Sequence, residues 1–553
     1  MIARTPEPPI DADYIIVGGG TAGCVLANRL SADPSNKVLV LEVGGDDRPF
    51  HNIRQFRSNL NIGMPAGFTQ ILGDPHIDWA YLTDPDPNAA GRQYMIHRGK
   101  VLGGSSAING MLYLRGQTQD YDGWRQLGCE GWGWADVLPY FRRAEHHEEG
   151  ESALHGGDGP LSIAKPRHED RITDALIQAW HEAGLPILDN LNSVDQEGVG
   201  FPAMTARRGA RHSTAAAYLH PAMKRTNLRV ETQAHVARVT FEGIRAAGVV
   251  FRQNGAERSA IARAEVILCG GAINSPQLLQ LSGIGAAQHL AKLGISVMHD
   301  CALVGANLQD HFSAMMSFRM KDGSGGFNRL ARGAALYRQL LRYAFMGRGL
   351  LTVAGAHAVA FARSRPEIDL PDLQFHLSPA TVDSNRSAKA GHMVLEEAPG
   401  FTVAGYFMRP YSRGAVTIRS PDPLAAPSIT HNFLSAPEDR AGTVAAMRWI
   451  RKVSAMPAMH PYLMHELAPT AAAESDEELI AVASASGNTS FHQAGSCAMG
   501  ARPEDVLDPQ LRVNGVRQLR VVDASVMPRL TSNNTNAPVI MIAEKAADMI
   551  LSA

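Results

Sequence analysis

Tyr14-Ile15-Ile16-Val17-Gly18-Gly19-Gly20-Thr21-Ala22-Gly23 is the stretch that decides the fold. Four residues of high strand propensity run into glycines at 18, 20 and 23, and residues 24–30 continue with helical character. Gly18 allows the tight turn, Gly20 lets backbone approach a pyrophosphate, and Gly23 lets the helix pack on the strand. The first N–H groups of that helix, around Thr21 and Ala22, then face phosphate. Such spacing arises by chance in a chain with 52 glycines, so its context matters. Residues 37–41 form a second strand ending in Glu42, 19 residues past Gly23. A carboxylate at that distance meets the adenosine ribose hydroxyls and would repel a 2′-phosphate.

The chain has 553 residues, more than one hydrophobic core fills, which predicts two domains. With 45% hydrophobic and 19% charged residues it has the composition of a globular protein. A net charge of −2 gives no electrostatic reason to expect nucleic acid. Residues 1–13 hold prolines and acidic groups but no apolar core of a signal peptide, and no run approaches a membrane-spanning length. Five cysteines without a C-x-x-C spacing read as reduced, buried thiols of a cytoplasmic protein.

Residues 43–98 are long and irregular, which is uncommon unless such a loop covers something. Trp79 and Tyr81 within it either pack over a ligand or anchor the loop in the core. A second glycine-rich segment follows, Arg98-Gly99-Lys100-Val101-Leu102-Gly103-Gly104-Ser105-Ser106-Ala107-Ile108-Asn109-Gly110. It lacks the Gly-Lys-Ser/Thr of a phosphate loop. Its small residues let backbone N–H groups reach a flat ligand, and Asn109 can bond a heterocycle edge. A second loop this far downstream suits a long cofactor carrying an isoalloxazine, so FAD is expected rather than NAD.

Residues 99–122 and the segment Gly271-Ala272-Ile273-Asn274-Ser275-Pro276-Gln277-Leu278-Leu279-Gln280-Leu281-Ser282-Gly283-Ile284-Gly285 resemble, position by position, the two signature patterns of the glucose–methanol–choline (GMC) oxidoreductases. With the C-terminal segment, the resemblance runs over residues 13–551, and its wording is closest to choline-, sorbose- and polyethylene-glycol-dehydrogenase-like members. It implies an α/β fold (α+β overall): a Rossmann-type FAD-binding domain and a substrate domain whose mostly antiparallel, six-strand-type sheet roofs the flavin. The implied boundaries are 12–165, 206–313 and 484–553 for the first domain, and 166–205 and 314–483 for the second. The implied cofactor contacts are Gly18, Gly20, Thr21, Ala22, Gly23, Glu42, Val101, Gly104, Asn109, Val236, Asp523, Ala524, Asn536 and Pro538. Relatives that attach FAD covalently use a histidine at the position of Ile108, so binding here should be non-covalent.

Three intermediate stretches bear on the site. Glu145-His146-His147-Glu148-Glu149 invites a metal, but adjacent histidines point apart and no further ligand spacing completes a site, so a solvated helix end is expected. Residues 171–184 show helical periodicity closed by Gly184, and His212-Ser213-Thr214 predicts a hydroxyl-capped helix start. Residues 338–346 form an amphipathic helix with Arg338, Arg342 and nearby Arg348. That pattern suits a lid or surface helix and leaves peripheral contact with the inner membrane open.

Ser490-Phe491-His492-Gln493-Ala494-Gly495-Ser496-Cys497 resembles the catalytic loop of the family, with His492 at the position of its histidine and Phe491 in the substrate pocket. A group titrating near pH 6.5 suits removal of a hydroxyl proton while the carbinol carbon loses hydride to the flavin. Gln493, Ser496 and Phe491 depart from the commoner proline, threonine and tyrosine, and so alter pocket shape rather than reacting groups. Asn536 is taken as the residue facing the substrate oxygen beside His492, with capping of the last helix as the alternative. The implied activity is FAD-dependent oxidation of an alcohol, with electrons passed to a quinone or other acceptor. An oxidase forming H₂O₂, a non-redox lyase or photodecarboxylase, and a non-catalytic flavoprotein are the alternatives. No metal is expected.

Overall fold

The computed structural model describes residues 8–51, 55–353 and 355–552. Residues 1–7 of the N-terminal segment, read as lacking a signal peptide, lie outside the described residues.

The first sheet is built around strand Ile10–Val17, which runs parallel to Val38–Leu41 on one side and to Ala256–Leu268 on the other. Leu228–Glu231 extends the sheet beyond Val38–Leu41, and Leu519–Val521 pairs in parallel with the end of Ala256–Leu268. The antiparallel strands Arg245–Gln253 and His235–Glu242 complete its seven strands. Ile15, Ile16, Val38, Leu39 and Val40 are all buried, as parallel strands covered on both faces must be. Helices Thr21–Leu30 and Asn536–Leu551 pack together in the same core. Arg29 holds the buried Glu544 of the second of these at 2.7 Å.

The second sheet is antiparallel throughout and also has seven strands, in the order Leu463–Glu466, Phe312–Met320, Gly400–Phe407, Leu373–Ser378, Ala358–Ala362 and Gly198–Gly200, with Asn488–Thr489 added along Phe312–Met320. The added strand is one more than the six-strand type anticipated. Along Phe312–Met320, residues 314, 316, 318 and 320 enter a core shared with Trp180 and Met447 of helices Arg171–Glu182 and Pro437–Ser454. Ser313 and Met315 alternate to the opposite face. That face roofs a cavity, and Met315 and His376 flank Ala404 across the strands there.

Several local expectations change. The stretch after Ala144 is not a solvated helix end: Glu145–His147 is a short strand paired with Leu161–Ile163, and Glu145 is fully buried. Burial alone would raise its carboxyl, but Arg115, His155 and Tyr113 hold it at about 2. The start at Thr214 is a π-helical turn over Ala215–Leu219, with Ser213 Oγ accepting from the Ala216 N–H at 3.2 Å. The amphipathic helix begins earlier than expected, at Gly333, and runs to Met346. All five cysteines are free and buried.

Candidate active site

Between the two sheets lies a cavity of about 700 Å³. At one end the two glycine-rich loops touch: the Gly103 N–H donates to the Gly19 carbonyl at 2.8 Å, and a Cβ on Gly104 would sit 2.7 Å from the Gly20 Cα. A Cβ on Gly23 would lie 1.9 Å from the Gly18 carbonyl oxygen, so the helix meets the turn after the strand only because residue 23 carries no side chain. No side chain caps helix Thr21–Leu30, and Thr21 and Ala22 line the cavity.

Glu42 lines the same end and accepts from the Gly19 N–H at 2.7 Å and the Gly44 N–H at 2.8 Å. Burial pushes its carboxyl up to about 7 against the pull of those two donors. Asp523 is more fully committed: its carboxylate accepts from the Gly271 N–H (2.8 Å), the Ser275 hydroxyl (2.6 Å) and the Ser525 N–H (2.8 Å). It therefore builds the wall, and Ala524 continues it.

Gly18, Gly20, Thr21, Ala22, Glu42, Gly104, Asn109, Val236, Asp523, Ala524, Asn536, Phe491 and His492 all line the cavity. Val101, Gly23 and Pro538 are outside its lining and shape it from behind. Asn109 Oδ1 accepts from the buried Arg211 (2.8 Å) and the Met111 N–H (3.0 Å).

The other end is organised by two strands that deliver histidines. Phe312 pairs with Thr489, so His311, just before one strand, faces the residues just after the other. The Ser490 N–H donates to the His311 carbonyl at 2.9 Å, and Phe491 takes a left-handed φ of +63° that turns the chain into His492. The His492 N–H donates to Asp310 Oδ1 at 2.8 Å. The opposite oxygen of Asp310 accepts from Gln493 at 2.7 Å and from the Thr489 hydroxyl. Arg98 donates to the Phe491 carbonyl and to Gln493 Oε1 (2.5 Å), so the guanidinium clamps the loop on both sides of His492.

A chain of hydrogen bonds fixes where the protons sit. The His311 Nε2–H donates to the Met408 carbonyl at 2.8 Å, because a carbonyl can only accept. His311 is held neutral, pushed down to about 3 chiefly by burial, so its Nδ1 carries a lone pair. His492 Nδ1 lies 2.9 Å from that lone pair and must donate to it. His492 Nε2 is then unprotonated.

From the other side, the Gly116 N–H donates to Asn533 Oδ1 (3.1 Å), Asn533 Nδ2 to Gln374 Oε1 (3.1 Å), Gln374 Nε2 to Asn534 Oδ1 (3.1 Å), and Asn534 Nδ2 to His492 Nε2 (2.9 Å). A backbone donor at one end and a backbone acceptor at the other thus require the same His492 tautomer. Burial first, then His311, His376 and Arg98, hold His492 well below 6.5, lower than its ordinary titration would give.

The residue beside the imidazole is Asn534, and Asn536 is two positions too far along. Asn536 opens the last helix, where its Oδ1 accepts from the Thr21 hydroxyl at 3.1 Å. The correction is geometric: Thr535 precedes the helix, and the bent segment before it, not the first helical turn, brings an amide to His492. His311, Gln374 and Asn533 were also missed. His311 closes Val304-Gly305-Ala306-Asn307-Leu308-Gln309-Asp310-His311, a segment legible only as a crossing between domains.

Comparison with known proteins bears on this geometry. The family description "GMC oxidoreductase" matches residues 12–313 and, in its C-terminal part, 410–543. The chain belongs to the GMC oxidoreductases. This GMC chain is 40% identical to the alcohol dehydrogenase (acceptor) of Pseudomonas putida, over 98% of its own length and 95% of the relative's. It is 41% identical to the mitochondrial choline dehydrogenase of Homo sapiens, over 97% and 89%. Among solved structures it superposes on pyridoxine 4-oxidase from Mesorbium loti with a TM-score of 0.86 at 29% identity, covering 98% of this chain and 99% of that one.

The protein is accordingly a flavin oxidoreductase of a family that acts on CH–OH groups, with FAD as its cofactor. The residues present fit that group: uncapped helix N–H groups beside apposed glycine backbones suit a diphosphate, and Glu42 stands at one end of the cavity with His492 at the other.

Proposed function

We infer that this enzyme oxidises an alcohol to an aldehyde or ketone, with His492 as the base and Asn534 as the partner that holds the alcohol oxygen. The observation that carries this reading is His492 on the cavity wall, its Nδ1 2.9 Å from His311 Nδ1 and its Nε2 2.9 Å from the Asn534 amide, bonds that together leave Nε2 as the basic nitrogen. Thr21, Ala22 and the backbone of Gly20 and Gly104 would hold the FAD diphosphate, and Glu42 the adenosine ribose. With a hydrocarbon side chain at Ile108, attachment is non-covalent. When bound, FAD supplies the acceptor for the hydride that leaves the carbinol carbon.

When the alcohol binds, the Asn534 Nδ2–H that donates to His492 Nε2 turns to the alcohol oxygen. The Nε2 lone pair it releases takes the hydroxyl proton, and Asn534 holds the oxygen as negative charge grows on it. The C–O bond becomes C=O as the C–H bonding pair departs with its proton. His311 accepts from Nδ1–H throughout and steadies the imidazolium. The single N–H of His311 is held by the Met408 carbonyl and burial disfavours a second, so the new proton stays on His492 until it leaves through Nε2.

A quinone held in a membrane is the acceptor we favour. Helix Gly333–Met346 leaves Tyr337 73% and Phe345 84% exposed. Arg338, Arg342 and Arg348 are exposed around them. An apolar ridge between exposed guanidinium groups suits an acidic bilayer surface. Two assays test the assignment. Anaerobic addition of an alcohol should bleach the bound flavin, and turnover with a soluble quinone analogue should exceed H₂O₂ formation in air. Flavin that stays yellow with every alcohol contradicts alcohol oxidation, and stoichiometric H₂O₂ contradicts the choice of acceptor.

A further inference from the structure

Resting on the alcohol-oxidising assignment, we propose that the substrate is a neutral alcohol with an apolar body, aliphatic or aryl. Quaternary ammonium alcohols are poor substrates, although choline dehydrogenases are among the relatives. The reason is the apolar part of the cavity wall: Phe68, Leu72, Met315, Val382, Met393 and Ala404 line the cavity, and Met315 and Ala404 pair across the strands beside His376.

Among the described residues lining the cavity, the carboxylates are Glu42 and Asp523, both at the glycine-loop end and both bonded to backbone N–H groups. Asp310 lies near His492 but outside the lining. It is 4% exposed, its oxygens are taken by the His492 N–H, Gln493 and Thr489, and burial lifts its carboxyl to about 7. The full charge that does reach the wall there is Arg98. A permanent cation would therefore be desolvated beside a like charge with no accessible counter-ion.

Ring faces offer little in place of the missing counter-charge. Trp79 stacks on Tyr81 with centroids 5.3 Å apart and already carries the Lys100 ammonium at 5.2 Å, and Phe491 packs against the His97 ring at 5.4 Å, which leaves the single phenyl face of Phe68, the weakest kind of cation partner. Polyols meet a different obstacle. The Ser313 and Ser490 hydroxyls bond each other at 2.7 Å, and Gln374 Nε2 donates to His376 Nε2 at 2.9 Å. Further hydroxyls that reach these groups would have to displace bonds already made, a cost an apolar body does not meet.

The test uses the FAD-loaded wild-type enzyme, mixed anaerobically with 1-octanol, benzyl alcohol, choline or sorbitol while flavin absorbance is followed. Bleaching per unit concentration should be at least ~10²-fold faster with the better of the two apolar alcohols than with choline or sorbitol. Calorimetry adds a readout independent of turnover: benzamide should bind at least ~10-fold more tightly than tetramethylammonium. Choline or sorbitol matching the apolar alcohols, or tetramethylammonium binding as tightly as benzamide, would overturn the proposal while leaving alcohol oxidation intact. Failure of all four to bleach a retained flavin would overturn both.

Discussion

The two ends of the cavity handle buried polarity in opposite ways. At the glycine-loop end, Glu42 and Asp523 are carboxylates held by backbone N–H groups from Gly19, Gly44, Gly271 and Ser525. At the His492 end, the work is done by side chains bonded to side chains: His311, His492, Asn534, Gln374 and Asn533, with backbone only at the two termini. The first end tolerates side-chain variety but not the addition of a Cβ at its tight contacts. The second tolerates little change in donor or acceptor type, since one reversed amide would break the sequence of protons.

The largest effect should come from breaking the backbone-built end. Gly23→Val drives a side chain into the Gly18 carbonyl oxygen, 1.9 Å from where its Cβ must go. The purified variant should lose its bound flavin, read as the 450 nm absorbance per protein, and wild-type flavin content would refute the packing argument. At the other end, Asn534→Ala should keep its flavin and slow flavin reduction about 10²-fold, the usual worth of a donor aimed at a developing oxyanion. Asn536→Ala loses only a bond to Thr21 and should slow the same step by less than about 10-fold. The reverse ranking would restore Asn536 as the catalytic amide.

His311→Leu removes the acceptor for His492 Nδ1–H and should cost about 10- to 100-fold in kcat with flavin retained. His311→Asn, whose Oδ1 can still accept, should recover most of that loss. Equal rates in the two variants would make His311 a packing residue. The smallest change is expected with pH. A base held well below 6.5 is already neutral at neutral pH, so flavin reduction should stay level from pH 6.5 to 8 and fall only on acidification. A rate still climbing between pH 6.5 and 7.5 would show that the imidazole titrates normally.

What could be read in advance follows the same division. The glycine spacing, the acidic residue 19 positions on and the second glycine-rich loop placed the cofactor end from local rules, because backbone approach leaves a signature in residue type. The loop singled out His492, which lines the cavity. Its hydrogen-bond partner was not singled out, because Asn534 and Asn536 are both amides within four residues of Pro538, and only the point where the helix begins tells them apart. His311, just before one strand, and Gln374, within another, lie more than 100 residues from His492 in sequence, and sheet register that no short motif encodes brings them to it. Glu145 was misplaced for a related reason. A charged run reads as solvated unless its buried partner, here Arg115 some 30 residues away, is known.

The central claim is that the His492 imidazole removes the proton. Rapid anaerobic mixing of the purified His492→Ala variant with the best alcohol tests it most directly. The account predicts a variant that retains FAD while its flavin is reduced about 10²- to 10⁴-fold more slowly than in the wild type. A FAD-replete variant reduced at the wild-type rate would place the base elsewhere and contradict it.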